Sequence, residues 1–363
     1  MNRILLGYLA REIYAATLMV LLAFLGLFAF FDFVNELPDI GRSGYQAHHA
    51  LIYVVMLLPT RLYELLPVAV LIGSLYALTT LARHSEITVM RASGLSTRRM
   101  LGMLCLIGIM PVAFTYVFGE YLAPPAESAA RQWRLIRTKS AISQQLRSGL
   151  WVKDGLRTVN VRVLQPDRSM NRVRVFTFDE AGALQSIAEA ERGVYVQAGD
   201  KGKGYWHLTD VTRTEFSDDH IALASPDNVI WESALTPEVL SVLMVQPDRM
   251  SVTALLAYIS HLRENRQDAS RYEIALWKKL TAPFASLVML ILALPFALSH
   301  ERSGGVSVKV FLGVMLGVTF YLLNGMFSSL GTINSWPPSI AAVTPSLLFL
   351  MAAAVMLYIV ERR

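Results

Sequence analysis

Cysteine is nearly absent. Cys105 stands alone, which excludes an internal disulfide and any cysteine-based metal cluster and leaves the redox compartment unread. Charge is scarce as well: charged residues make up 17% of the 363 residues, against roughly 25% in soluble domains. Also missing are the G-x-x-x-x-G-K-[ST] phosphate loop, H-E-x-x-H, G-x-S-x-G and a dinucleotide fingerprint after a strand. Any energy source or catalytic centre must therefore come from elsewhere. The stretch GDKGKGYW has glycines but lacks the Lys-Ser/Thr ending of a nucleotide loop, and reads as a hairpin turn. The net charge of +5 is not gathered into one run or stripe, so it gives no sign of a nucleic-acid partner.

What fills the chain is apolar. The hydrophobic share is 54% and the mean hydropathy +0.42, which makes lipid the solvent for much of it. A bilayer core of about 30 Å needs about twenty mostly apolar helical residues. Six stretches qualify, near 13–34, 62–82, 100–122, 274–298, 306–327 and 338–360. The first is too long for a secretory signal and lacks a small-x-small cleavage site, so it reads as a retained helix. A further apolar piece, LIYVVMLLP at 51–59, is too short to span. It reads as an outer extension of the second helix or as an interfacial segment. Cys105, inside the third stretch, reads as packing.

Short cytoplasmic loops carry excess Lys and Arg. Arg3, Arg11, Arg83, Arg91, Arg98, Arg99, Arg302, Lys309, Arg362 and Arg363 all fall at one set of helix ends. Both termini are therefore expected in the cytoplasm. SSLGTINSWPPS, without charge, and the connection holding Glu36, Asp39 and Arg42 are expected outside.

Between about 140 and 250 the period changes to two, in TVNVRVL, RVRVFTF, GVYVQA and GYWHLTDVTRTEF, with turn signals KDG, DEAG, GDKGKG and SPDN between. The expected fold is an α-helical integral membrane protein of about six transmembrane helices with an inserted all-β, jelly-roll-like domain on the outer side. Its parts are 1–135 (helices 1–3, with a cytoplasmic helix at 84–96), 136–255 (the β domain) and 256–363 (helices 4–6). The connections near 123–139 and 250–273 look helical and charged.

In RHSEITVMRASGLSTRRM, Ser85 is placed to cap a short helix, Glu86 sits in its first turn and Gly94 is placed to end it. Such a helix across the cytoplasmic face fits either a partner's docking element or an ordinary solvated connection. Arg131 and Arg134 lie one helical turn apart past the third span, suited to phosphate oxygens or to anchoring at the interface. Arg61 is costly at a membrane edge, and Glu64 at i+3 can pair with it, so an ion pair and a substrate contact both fit. Gly313 and Gly317 in GVMLG share a helix face that permits close approach, within one subunit or against another. Phe28, Phe30, Phe31, Phe33, Phe311 and Phe320 give the first and fifth helices apolar faces, suited to substrate chains, lipid or core alike.

SEITVMRASGLS, GEYLAPPAESAARQWR, GLWVKDG and QDASRY, in this order and with this hydropathy plan, resemble the lipopolysaccharide export permease family LptF/LptG, more closely its LptG branch, over essentially the whole chain. The resemblance implies a permease subunit of an ABC transporter in the bacterial inner membrane, with a periplasmic β domain. It implies pairing with an LptF-like permease and a cytoplasmic LptB-like ATPase dimer that holds ATP and Mg. It further implies a periplasmic LptC/LptA-like bridge with a similar β domain, and lipopolysaccharide as substrate. No cofactor or metal is expected in this chain. Glu86 would contact the ATPase, with Ala92 and Gly94 shaping the docked turn. Arg131 and Arg134 would line the outer cavity beside Arg61, and the helix of Gly313 and Gly317 would lie near a lateral gate. One departure stands out: where the family commonly carries lysines at the outer end of the first helix, this chain has Asp32, Glu36 and Asp39. These could bind bridging divalent cations or pair with a partner's arginines. The competing function is a membrane-anchored sensor or scaffold; an intramembrane protease fits less well, because no paired nucleophile and base is apparent.

Overall fold

The computed structural model describes residues 2–41, 44–138, 149–164, 169–196, 204–217, 220–233, 246–298 and 306–362. Six of the described helical segments are long and apolar enough to cross a membrane. α1 (Asn2–Glu36) runs into a 3-10 turn at Leu37–Asp39, and α2 (Ala47–Arg83) follows. After the short α3 (Glu86–Ala92), α4 (Thr97–Val117) passes through a π turn at Phe118–Leu122 into α5 (Ala123–Thr138).

The half-length apolar piece at 51–59 is the first part of α2, which continues through Pro59 and Pro67 without ending. At 1.5 Å per residue α2 is about 55 Å long, so it extends well beyond a bilayer core of about 30 Å. The π turn has a comparable role on the next span, because an added residue in a turn rotates the helix beyond it. Gly119 in that turn lies against the ring of Tyr63, where a Cβ would come within 2.5 Å of Cε2.

After α5 the described residues form seven antiparallel strands: β1 (Leu150–Asp154), β2 (Arg157–Leu164), β3 (Met170–Phe178), β4 (Leu184–Val196), β5 (Tyr205–Phe216), β6 (Ile221–Ala224) and β7 (Asn228–Glu232). Sequence neighbours pair from β1 to β6, and β7 returns to pair with β5 beside β6. The period-two stretches become β2 to β5. Their inward residues form one core around Val159, Val161, Met170, Val173, Trp206 and Leu208. Gly155 and Gly182 turn the chain with φ of 62° and 86°, in the KDG and DEAG signals. The GDKGKG signal falls largely at 197–203, outside the described residues.

A 3-10 turn at Pro247–Arg249 and α6 (Val252–Glu264) bring the chain back to α7 (Ser270–Leu298), α8 (Val306–Ile333) and α9 (Pro338–Arg362). The Gly155 N–H donates to Asn265 Oδ1 at 2.7 Å, tying the β1–β2 turn to the end of α6. In the bundle α2 and α7 are central. Their apolar stretches are 72% and 61% buried, against 22% in α1 and 17% in α8. The α1–α2 crossing is tight at Gly73, where a Cβ would lie 2.5 Å from Thr17 Cα. A Thr115–Ser286 hydroxyl pair at 3.2 Å links α4 to α7, the kind of polar contact that holds helices together in lipid. Cys105 is half-buried on α4.

Candidate functional site

The two ends of the bundle carry different chemistry. At the sheet end, α5 continues the third span, and its apolar and charged residues alternate with helical period, so Glu127, Arg131 and Arg134 face α1, α2 and the Pro247–Arg249 turn. Arg61, on the extended part of α2, forks onto Asp32 of α1. Its Nε donates to Oδ2 at 2.8 Å and Nη2 to Oδ1 at 2.6 Å, while Nη1 donates to Glu64 at 3.0 Å. Arg134 bridges two carboxylates at the end of α1, donating from Nε to Glu36 at 3.0 Å and from Nη2 to Asp39 at 2.7 Å. The Tyr45 hydroxyl donates to the same Glu36 oxygen, and the Arg134 guanidinium lies over the Tyr53 ring.

Glu127 is the most enclosed carboxylate of the group, with a side chain 2% exposed. Arg249 Nη1 donates to its Oε1 at 2.6 Å and Arg131 Nε at 3.1 Å. Burial disfavours the Arg249 charge, but the Glu127 and Glu64 carboxylates more than offset it and raise its pKa above the ordinary arginine value. Close by, both oxygens of Glu120 accept from the Val252 N–H at the start of α6, and buried Lys279 donates to the Met250 carbonyl.

All three arginines singled out in the sequence therefore lie at this end, each already paired within the chain. The local Arg61–Glu64 pair follows from i,i+3 spacing. Asp32, Glu36 and Asp39, the acidic residues at the outer end of the first helix, are the partners of Arg61 and Arg134. Sequence reasoning missed Glu127, Arg249, Glu120 and Lys279. The Glu127–Arg249 and Glu120–Val252 contacts span 122 and 132 positions, so spacing carries no signal for them, whereas the i,i+4 spacing of Glu127 and Arg131 does mark that pair.

At the opposite end α3 lies against α2 through Ile87, which is 3% exposed and part of the bundle core. Ser85 precedes α3 in the left-handed region at φ 62°, and its side chain accepts no capping hydrogen bond, which corrects the capping role expected of it. Gly94 follows the helix at φ 93°, a conformation glycine adopts without strain. Glu86 is half-buried, and the Tyr8 hydroxyl of α1 donates to its Oε2 at 2.8 Å. Ala92 and Gly94 are exposed, as is Val89. The Tyr8 contact was not anticipated, since Tyr8 sits in an apolar run with nothing to mark it.

Gly313 and Gly317 face α2 in the same chain. A Cβ at Gly313 would come within 2.5 Å of Leu75 and one at Gly317 within 2.6 Å of Val68. Of the phenylalanines, Phe320 is buried against Phe349, whereas Phe30, Phe31 and Phe311 are exposed. α1 and α8 thus flank α2 on two sides and turn apolar faces away from the bundle. A cleft of ≈ 300 Å³ opens between α2, α7 and α8 at the sheet end, lined by Tyr63, Val68, Lys278, Phe320, Tyr321 and others.

Residues 7–359 match the family described as Lipopolysaccharide export system permease LptF/LptG. The chain is 31% identical over 345 residues to the Lipopolysaccharide export system permease protein LptG of Haemophilus influenzae, covering 95% of each chain. It is 30% identical to LptG of Escherichia coli K12, again over 95% of each. With LptF of Escherichia coli K12 the identity is 23% over 367 residues, covering 97% of this chain and 94% of LptF.

Proposed function

The chain belongs to the lipopolysaccharide export system permease family LptF/LptG, and on that premise we propose that it is the LptG-type permease subunit that lifts lipopolysaccharide out of the bacterial inner membrane. The observation that carries this reading is the exposure of α1 and α8 on either side of a buried α2. Two flanking helices with free apolar faces form half of a lipid-sized enclosure, and a second permease supplies the other half. Similarity to both LptG and LptF supports an LptF-like chain as that partner.

An enclosure is needed on energetic grounds. Moving one CH₂ into water costs about 0.8 kcal/mol, so a chain of about a dozen carbons approaches 10 kcal/mol. Keeping the chains against apolar walls removes most of that cost and leaves closure of the walls to expel the lipid. The energy comes from a cytoplasmic LptB-like ATPase dimer that binds ATP and Mg and docks on α3. Glu86, Ala92 and Gly94 make that contact. The exposed Arg83, Arg91, Arg98 and Arg99 support a cytoplasmic α3 end, because short cytoplasmic loops carry excess Lys and Arg. The sheet end and both edges of its β domain then face the periplasm, where an LptC/LptA-like bridge receives the lipid. Arg61, Arg131 and Arg134 meet the substrate phosphates, whose oxygens match the guanidinium fork.

The test is ATPase activity of the complex in lipid, with and without lipopolysaccharide, for wild type, Glu86→Ala and Glu86→Lys. Loss of lipid-responsive ATPase in the variants supports the reading. Full lipid-responsive activity in both removes Glu86 from coupling and favours a sensor or scaffold.

A further inference from the structure

Asp32 and Glu36 fall on the face of α1 that meets α2 and α5, Asp39 follows in the 3-10 turn that ends it, and Phe30, Phe31 and Val34 on the other face of α1 are exposed. Beyond its crossing with α2, the outer part of α1 is held to the bundle by Arg61 and Arg134. The Asp32–Arg61 contact uses two parallel N–H donors on two oxygens of one anion. A phosphate offers the same pair of oxygens. Arg134 likewise turns Nε and Nη2, the donors suited to a tetrahedral anion, onto Glu36 and Asp39.

We propose that these three carboxylates are built-in stand-ins for the substrate phosphates: they latch the outer end of α1 to Arg61 and Arg134, and an arriving phosphomonoester takes the arginines and frees α1. The inference rests on the reading that these arginines meet the lipid's phosphates. A carboxylate carries one charge, and a phosphomonoester about −1.5 to −2 near neutral pH, so the substrate is the stronger competitor for the guanidinium. Phosphodiester headgroups carry a single charge and do not have this advantage. The latch therefore selects for phosphomonoesters and couples their arrival to movement of the helix that walls the enclosure. By linkage, whatever loosens the latch tightens phosphate binding and the reverse.

The experiment uses the complex in phospholipid nanodiscs, in a Cys105→Ser background, with spin labels at the exposed Leu37 and Ile136, on the end of α1 and on α5. Bisphosphorylated lipid A and fully dephosphorylated lipid A are the probes, and the nanodisc phosphodiesters are present in every arm. Bisphosphorylated lipid A is expected to lengthen and broaden the label distance in the wild type, and dephosphorylated lipid A to leave it unchanged. Asp32→Asn with Glu36→Gln is expected to show the broadened distance without lipid and to bind bisphosphorylated lipid A roughly fivefold or more tightly. The wild-type distances need no altered latch, so they decide the matter even where that variant fails to fold. Phosphate-dependent binding with an unchanged label distance overturns the latch alone. Binding that ignores the phosphates overturns both the latch and the reading beneath it.

Discussion

At the sheet end four arginines, Arg61, Arg131, Arg134 and Arg249, are interleaved with five carboxylates, and most of these side chains are at least partly enclosed. At the α3 end the basic residues Arg83, Arg91, Arg98 and Arg99 lie exposed, and a single Tyr8–Glu86 hydrogen bond joins α3 to α1. Enclosed charges of mixed sign fix geometry, because each is costly without its partner. Exposed charges of one sign do little for stability and much for orientation and encounter. Substitutions at the two ends should consequently differ in kind: stability changes at one, coupling changes at the other.

The broadest way to break this contrast is to disable both ends together. Gly73→Val places atoms against the Thr17 backbone, which cannot yield as a side chain can. Because α1 and α2 carry groups at both ends, it should cost about 3 kcal/mol or more and abolish folded complex, seen as loss of a cooperative thermal transition. Arg249→Met sharpens the contrast. It strips the shortest partner from a carboxylate 2% exposed and should destabilise by about 3 kcal/mol. Arg98→Met at the other end should stay within about 0.5 kcal/mol in the same melting experiment. Glu86→Lys reverses the pattern, removing lipid-stimulated ATPase activity while the melting temperature holds.

A smaller destabilisation than that of Arg249→Met concerns Asp268, just ahead of α7. The Ser270 hydroxyl and N–H donate to its carboxylate and hold its pKa below the ordinary aspartate value of 3.8. A lowered folded-state pKa contributes stability that is present above pH 3.8 and is lost as pH falls below it. Asp268→Ala should cost about 1 kcal/mol near neutral pH and flatten the acid limb of the stability profile, read by melting from pH 6 downward.

The same contrast explains what could be read ahead of the structure. Spans depend on the length of apolar runs, so all six were legible, while 51–59 read either as an extension of α2, which it is, or as an interfacial segment. Period two exposed β2 to β5, and Arg61–Glu64 followed from local spacing. Glu127–Arg131 is local as well, at i,i+4, but other pairs at the sheet end join residues 29, 95, 98 and 122 positions apart. Packing of α1, α2 and α5 chooses those partners, and no local pattern encodes it. Asp32, Glu36 and Asp39 were visible in the sequence only as acidic residues near the outer end of the first helix, and their meaning appeared once Arg61 and Arg134 were seen to face them. Ser85 fails as a cap because its backbone is turned left-handed to swing the chain from α2 into α3, a constraint the sequence alone does not display.

The most direct test of the division of labour between the two ends is ATP-driven transfer of lipopolysaccharide from proteoliposomes to the bridge protein proposed above, measured together with lipid binding. Glu86→Lys is expected to bind lipid as the wild type does and release none on adding ATP, while Arg61→Gln with Arg134→Gln is expected to lower the melting temperature and, in the complex that remains folded, to lose lipid binding. Wild-type transfer by Glu86→Lys, or undiminished lipid binding by the arginine variant, would contradict the account.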